Sequence, residues 1–193
     1  RRYQKIIEES PSPFVTESIR KRLTTDALKL CKSIGYQNAG TVEFLVDKDG
    51  NHFFLEVNAR LQVEHPVTEM VTSIDLVKEQ LLIAMGLPLT LSQEDVEING
   101  HAIECRIYAE DPQNNFHPAP GKILSVQWPK EYLARTDSWF SEPVDILPDF
   151  DPMLAKIITH APTRLYAIEK MHKALQSTLL MGSTNNISYL MSI

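Results

Sequence analysis

Apolar residues along this chain recur at two spacings, and the changes of spacing mark the elements. Over residues 16–34, Ile19, Leu23, Leu28, Cys31 and Ile34 fall near helical spacing, and Gly35 stands where a helix would stop. Residues 75–85 repeat the pattern in shorter form, with Leu76, Val77, Leu81 and Ala84 apolar and Gly86 behind them. A third stripe of Ile168, Met171, Leu175 and Leu179 follows Thr163, a residue suited to cap a helix, and runs to Gly182. These stripes predict three helices that bury one face each.

Between the first two helices the spacing drops to two. Residues 41–46 and 52–58 alternate about a turn that contains Gly50, which predicts a hairpin. A four-residue loop, residues 48–51, pairs Asp47 with His52. That register sets Val46 against Phe53, Phe44 against Leu55 and Val42 against Val57 as an apolar ladder. The other face then sets Glu43 against Glu56, with Thr41 and Asn58 beside them. After Pro88 strand-like pieces take over, at residues 101–109, 122–128 and 153–160, separated by loops rich in proline. The whole reads as an α+β chain with a domain boundary near Val96 and no internal repeat.

Bulk properties narrow the function. With 193 residues, 43% hydrophobic and 23% charged, the chain can bury a real core. Its net charge of −6 argues against nucleic acid, which calls for a basic face. No apolar stretch is long enough to cross a bilayer, so no membrane role is expected. Two cysteines, Cys31 and Cys105, do not make a disulfide scaffold and point to a reducing compartment. The opening at Arg1, without Met, reads as a piece of something longer.

The hairpin carries the first chemistry. Two carboxylates opposed at about 5 Å repel by roughly 3 kcal/mol at an effective dielectric near 20. Folding does not require that arrangement, but a divalent cation between Glu43 and Glu56 explains it, and hard oxygen ligands suit Mg²⁺ or Mn²⁺. Magnesium completes its shell with water or substrate phosphates, so a nucleotide site follows. A solvated polar face with the two side chains splayed apart is the alternative. The same parity continues through Asn58, Arg60, Gln62 and Glu64 along an expected extended segment. There Arg60 can fork a small planar anion and Glu64 can act as a general base. Further on, alternation puts Ile103, Cys105 and Ile107 on one strand face and Glu104, Arg106 and Tyr108 on the other. His52, His117, His160 and His172 show no ligand spacing, His65 is expected to shape its segment, and Cys105 is expected in the core.

The string Phe54-Leu55-Glu56-Val57-Asn58-Ala59-Arg60-Leu61-Gln62-Val63-Glu64-His65-Pro66-Val67-Thr68-Glu69 closely resembles the signature of biotin carboxylases, which have an ATP-grasp fold. Arg1-Arg2-Tyr3-Gln4-Lys5, Gly40-Thr41-Val42-Glu43-Phe44, Gly100-His101-Ala102-Ile103-Glu104-Cys105-Arg106-Ile107, Asp151-Pro152-Met153-Leu154-Ala155-Lys156 and Thr184-Asn185-Asn186 agree in order. The resemblance covers nearly the whole chain. It implies the C-terminal part of an ATP-grasp domain, an antiparallel sheet with helices, over residues 1–96. A biotin carboxylase C-terminal domain of strands and helices would occupy residues 97–193. It implies ATP, Mg²⁺ or Mn²⁺ and carried biotin as the working groups. Glu43 and Glu56 would hold the metal ions on the ATP phosphates, supported by Asn58, and Leu45 would touch the adenine. Lys5, Arg60, Gln62 and the backbone of Val63 would bind bicarbonate. Glu64 would remove its proton, and Arg106 would stabilise the biotin enolate.

The family further implies a biotin carboxyl carrier protein or domain and a carboxyltransferase as partners, and a homodimer of the full enzyme. It also implies a cytoplasmic or, in eukaryotes, mitochondrial matrix setting. The run Glu64-His65-Pro66-Val67 leans toward acyl-CoA carboxylases. Tyr3 stands where many relatives have His, and residues 137–142 lack the glycines expected near the dimer contacts. The family's Gly-rich lid and phosphate-holding lysines have no counterpart in these residues. Two other readings stay open: another ATP-grasp ligase such as a carbamoyl phosphate synthetase, and a docking module without turnover.

Overall fold

The computed structural model describes residues 5–141 and 143–193; Tyr3, and with it the expected departure at the nucleotide, lies outside them. The described chain opens with strand β1 (Ile7–Ser10) and then forms a unit over residues 11–98. That unit holds α1 (Glu17–Ser33), β2 (Thr41–Val46), β3 (His52–Asn58), α2 (His65–Thr72), α3 (Leu76–Ala84) and a short 3₁₀ turn at Gln93–Asp95. Thr16 caps α1 by accepting from Ile19 N, and Asp75 caps α3 by accepting from Lys78 N, so both helices start where the sequence expects. Helix α2 is new. Pro66 sits in its first turn, where a missing N–H costs nothing, and Val67 and Val71 bury one side.

The hairpin differs from its expected register near the turn. Asp47 N donates to Asn51 O at 2.9 Å and Gly50 takes φ +79°, so the loop closes one residue tighter. The Asp47 carboxylate accepts from the backbone N–H groups of Asp49 and Asn51 and fixes that turn. Val46 therefore pairs with His52, Leu45 with Phe53 and Phe44 with Phe54, and a bulge at Leu55 restores the expected pairing of Glu43 with Glu56. The predicted apolar ladder thus holds only at Val42 and Val57. Phe44 instead meets Phe54 and His52 edge-on. Helix α1 braces the hairpin through Arg22 to Gly50 O at 2.7 Å and through Asp26 to His52 Nε2 at 2.6 Å. A Cβ on Gly50 would sit 3.1 Å from Ile19 Cδ1, a tight contact, and the positive φ is what asks for glycine at this turn.

The second unit combines residues 99–193 with the N-terminal strand. It contains β4 (His101–Tyr108), β5 (Glu110–Asp111), β6 (His117–Pro118), β7 (Gly121–Ile123), β8 (Ser125–Gln127), β9 (Arg135–Ser138), β10 (Val144–Ile146), β11 (Met153–Ala161), α4 (Arg164–Ser177), β12 (Leu179–Met181) and α5 (Ile187–Leu190). Its main sheet is antiparallel in the order β1-β4-β11-β9, and α4 packs across β4 and β11 with Ala167, Met171, Ala174 and Leu175 buried. Strand β1 lies within the expected domain of residues 1–96, and its ladder bonds go to β4.

Two further expectations are corrected here. The third helix ends at Ser177 rather than near Gly182. Thr178 turns extended, and the hydroxyls of Ser177 and Thr178 take the Ala174 carbonyl, freeing Leu179 to pair with Gln127. The expected strand over residues 122–128 is two strands in different sheets, β7 on β10 and β8 on β12. Between them Leu124 N bonds Met181 O.

Candidate functional site

The geometry at the hairpin starts from Glu43 and Glu56, which lie directly opposite each other on β2 and β3. Their Oε1 atoms converge on one side-chain amide: Asn58 Nδ2 donates to Glu43 at 3.1 Å and to Glu56 at 3.0 Å. Gln62 Nε2 adds a 2.6 Å bond to the same Glu43 oxygen. Partial positive charge on two amides thus sits where the two carboxylates repel most. Rotating Asn58 about its last torsion would bring Oδ1 to that point, and three hard oxygens suit Mg²⁺ or Mn²⁺. The residues present fit such an ion. Among the described residues no group of three His, Cys, Asp or Glu side chains forms a closed metal cage. Leu45 shares the β2 face of Glu43 and is exposed, facing Phe53 in register.

Beyond Asn58 the chain leaves the sheet, which corrects the extended segment expected up to Glu64. Arg60 turns back, its guanidinium donating to Leu61 O at 3.1 Å and to Asn58 Oδ1 at 3.4 Å. Residues 63 and 64 form a turn, and Glu64 is the residue before α2, so its position is set by a helix start rather than by strand parity. His65 pins that turn through a 2.7 Å contact of Nδ1 with Gln62 O. One connected set therefore joins Glu43, Glu56, Asn58, Arg60 and Gln62, with Val63 and Glu64 following directly. The loop holds these groups because hydrogen bonds between neighbours replace the lost ladder.

Lys5 and Arg106 belong to the other unit. Lys5 is exposed just ahead of β1, where Arg106 N donates to Ile6 O at 2.9 Å. As alternation required, Ile103, Cys105 and Ile107 are buried in the core. The opposite face is not an open polar face: Glu104 is fully buried and Tyr108 nearly so. Arg106 makes a 2.6 Å ion pair with Glu8, across from Lys156, which pairs with Asp137 at 3.4 Å. Burial pushes the Glu104 carboxyl up to about 8; Lys156 and Arg106 oppose that shift, while Glu8 and Asp137 add to it. Burial also lifts the Cys105 thiol to about 12, so it is an inert core group. A cavity of about 630 Å³ lies on the Cys105 face, lined by Ile7, Ile103, Ile168, Met171 and Leu190, and contains none of the predicted site residues.

Sequence reasoning passed over Glu8 and the detailed role of Asn186. The Asn186 side chain accepts from Tyr108 N and donates to Arg106 O, both at 2.9 Å, completing the strand edge that Arg106 occupies. The only advance signal was Thr184-Asn185-Asn186 within the family resemblance.

Known families also change between residues 92 and 104, although residues 1–10 go with the first match. Residues 1–92 match the family described as carbamoyl-phosphate synthase L chain, ATP binding domain, a description that both enzyme readings satisfy. Residues 104–193 match the biotin carboxylase C-terminal domain. The chain belongs to the biotin carboxylase family. Biotin carboxylase 2 of Bacillus subtilis is 50% identical over 190 residues, covering 98% of this chain. The biotin carboxylase subunit of a pyruvate carboxylase superposes with a TM-score of 0.96 over 100% of the chain at 46% identity. The biotin carboxylase domain dimer of Hydrogenobacter thermophilus 2-oxoglutarate carboxylase, solved with MgADP, ADP and bicarbonate, gives 0.96 over 100% at 42% identity. This chain spans 43% of the length of each of these three biotin carboxylases. The α+β architecture is accordingly the C-terminal part of an ATP-grasp domain followed by a biotin carboxylase C-terminal domain.

Proposed function

We propose that this chain supplies the metal, bicarbonate and biotin groups of an enzyme that carboxylates biotin with ATP and bicarbonate. The observation that carries the reading is the convergence of Glu43 and Glu56 on the Asn58 amide, tied to Gln62 and Arg60. Magnesium, when bound, supplies charge neutralisation at the ATP phosphates. Glu43 and Glu56 would hold it with the Asn58 side-chain oxygen, and Leu45 would pack on the adenine. Lys5, Arg60, Gln62 and the Val63 backbone hold bicarbonate, and Glu64 takes its proton. The resulting dianion attacks the γ-phosphorus, ADP leaves, and carboxyphosphate forms. Carboxyphosphate breaks into CO₂ and phosphate; the phosphate accepts the ureido proton of biotin, and the nitrogen adds to CO₂. Arg106 offsets the negative charge that gathers on the ureido oxygen during that proton transfer.

Biotin must arrive on a carrier and pass its carboxyl group on, so a biotin carboxyl carrier protein or domain and a carboxyltransferase complete the system. A homodimer of the full enzyme follows the architecture of the 2-oxoglutarate carboxylase relative. A cytoplasmic setting fits this chemistry, and among the described residues no helix is long and apolar enough to cross a membrane. Two of the relatives above belong to a pyruvate and a 2-oxoglutarate carboxylase, so the proposal is made for the biotin half-reaction. The acyl-CoA acceptor stays an expectation from Glu64-His65-Pro66-Val67. The test is Glu64→Gln in a full-length enzyme carrying this chain. Bicarbonate-dependent ATP cleavage should fall by about 10²–10⁴, the range of a lost general base, while nucleotide binding persists. Cleavage near the parent rate would remove Glu64 from the role of base.

A further inference from the structure

Strand β4 presents Arg106 and β11 presents Lys156 as direct partners on one sheet face, two cations side by side. Like charges opposed across a ladder repel, and each needs an anion to hold its direction. Asp137 on β9 serves Lys156 and is itself forked by Arg135 at 2.7 and 2.9 Å. On the other side, edge strand β1 brings Glu8 one diagonal step from Arg106, and their side chains, about a tenth exposed, meet at 2.6 Å. Glu104, the direct partner of Glu8, is fully buried and neither of its oxygens has a hydrogen-bond partner. Burial pushes the Glu104 carboxyl up to about 8, and the ion pair to Arg106 on this side of the row is made by Glu8. The Arg106 backbone is fixed as well, by Ile6 O on one side and by the Asn186 amide. With the main chain held, the direction of the Arg106 guanidinium is set by its side-chain neighbours, and Lys156 is a like charge directly beside it.

We propose that Glu8 is a positioning residue for biotin carboxylation: its carboxylate aims the Arg106 guanidinium against the repulsion of Lys156. This rests on the reading that Arg106 serves biotin. Glu8 meets Arg106 at one guanidinium nitrogen, and a planar fork held at one corner keeps a fixed orientation that a lysine ammonium would not. Acting through Arg106, it never touches the reacting atoms.

The test is a double-mutant cycle on a full-length enzyme carrying this chain, with free biotin as substrate. Glu8→Gln should lower kcat for biotin carboxylation about 10- to 100-fold while KM for ATP stays within about twofold. In the Arg106→Ala background the same change should cost nothing further, because the group it aims is gone. Independent, multiplicative losses would overturn the proposal, as would a fall in kcat matched by a rise in KM for ATP. Should Glu8→Gln fail to fold, Glu8→Asp keeps the charge but withdraws it by one methylene, and a carboxylation rate equal to the parent would overturn it too. If Arg106→Ala alone leaves carboxylation intact, the fault lies in the reading of Arg106 and not in the Glu8 pair.

Discussion

The two units solve the same electrostatic problem in opposite ways. In the hairpin unit, Glu43 is half-buried and Glu56 exposed, and side-chain amides hold them together. Around them Leu45, Phe53 and Phe54 are 61, 58 and 56% exposed. In the sheet unit, Arg106 sits among buried partners, with Ile107, Leu154, Ile157 and Ile158 almost wholly buried close by in sequence and register. Amides can be exchanged for a cation at little cost, whereas an arginine in a packed row keeps its place. The carboxylates proposed to take up an ion sit on a braced hairpin. The arginine proposed to offer one fixed charge sits in a packed row.

The contrast can be broken most severely by asking the chain to work by itself. With bicarbonate, free biotin and Mg²⁺, the purified 193 residues should fold at least in part. They should show no measurable biotin carboxylation, since phosphoryl transfer depends on positioning that 43% of the relatives' length does not contain. Turnover comparable to a full-length biotin carboxylase would show that these residues hold the complete machinery.

Smaller effects separate the units by stability. Ile157→Ala in β11 should cost about 2–5 kcal/mol by denaturant unfolding, the range for emptying a packed core. Phe53→Ala on the exposed hairpin should cost well under half of that. Comparable losses would show the hairpin packed as tightly as the sheet.

Charge in the core gives a pH test. The folded Glu104 carboxyl titrates at about 8, against 4.5 ordinarily. Between those values the folded chain holds a proton that the unfolded chain has lost. Stability from this group therefore falls as pH rises, by about 1.4 kcal/mol per unit, and levels above 8. Glu104→Gln is neutral at every pH and lacks that slope. Its stability relative to the parent should climb from pH 5 to 8 in urea titrations, and a flat difference would contradict a buried neutral acid.

How far the residues themselves foretold this follows from range. Helix starts at Thr16, Asp75 and Thr163 were legible because a cap acts within three residues. The Glu43–Glu56 pairing was legible because Val42 and Val57 fix the far end of the hairpin. The bulge at Leu55 was not, since it depends on Asp47 choosing to bond its own turn. Helix α2 was hidden by β-branched Val67, Thr68, Val71 and Thr72, whose preference yields once Pro66 starts a turn and two valines find a core. Glu8 was illegible for a different reason: its partner is 98 residues away, and only the return of β1 to β4 brings them together.

The central claim is that Glu43 and Glu56 form a divalent-cation site, and Mn²⁺ titration followed by paramagnetic resonance measures it in the chain as it stands. Both carboxylates come from one hairpin, so saturable binding of Mn²⁺ should survive without the rest of an enzyme and should be competed by Mg²⁺. Binding should vanish in Glu43→Gln/Glu56→Gln, with the fold unchanged by circular dichroism. Equal Mn²⁺ binding by the double variant and the parent would contradict the account.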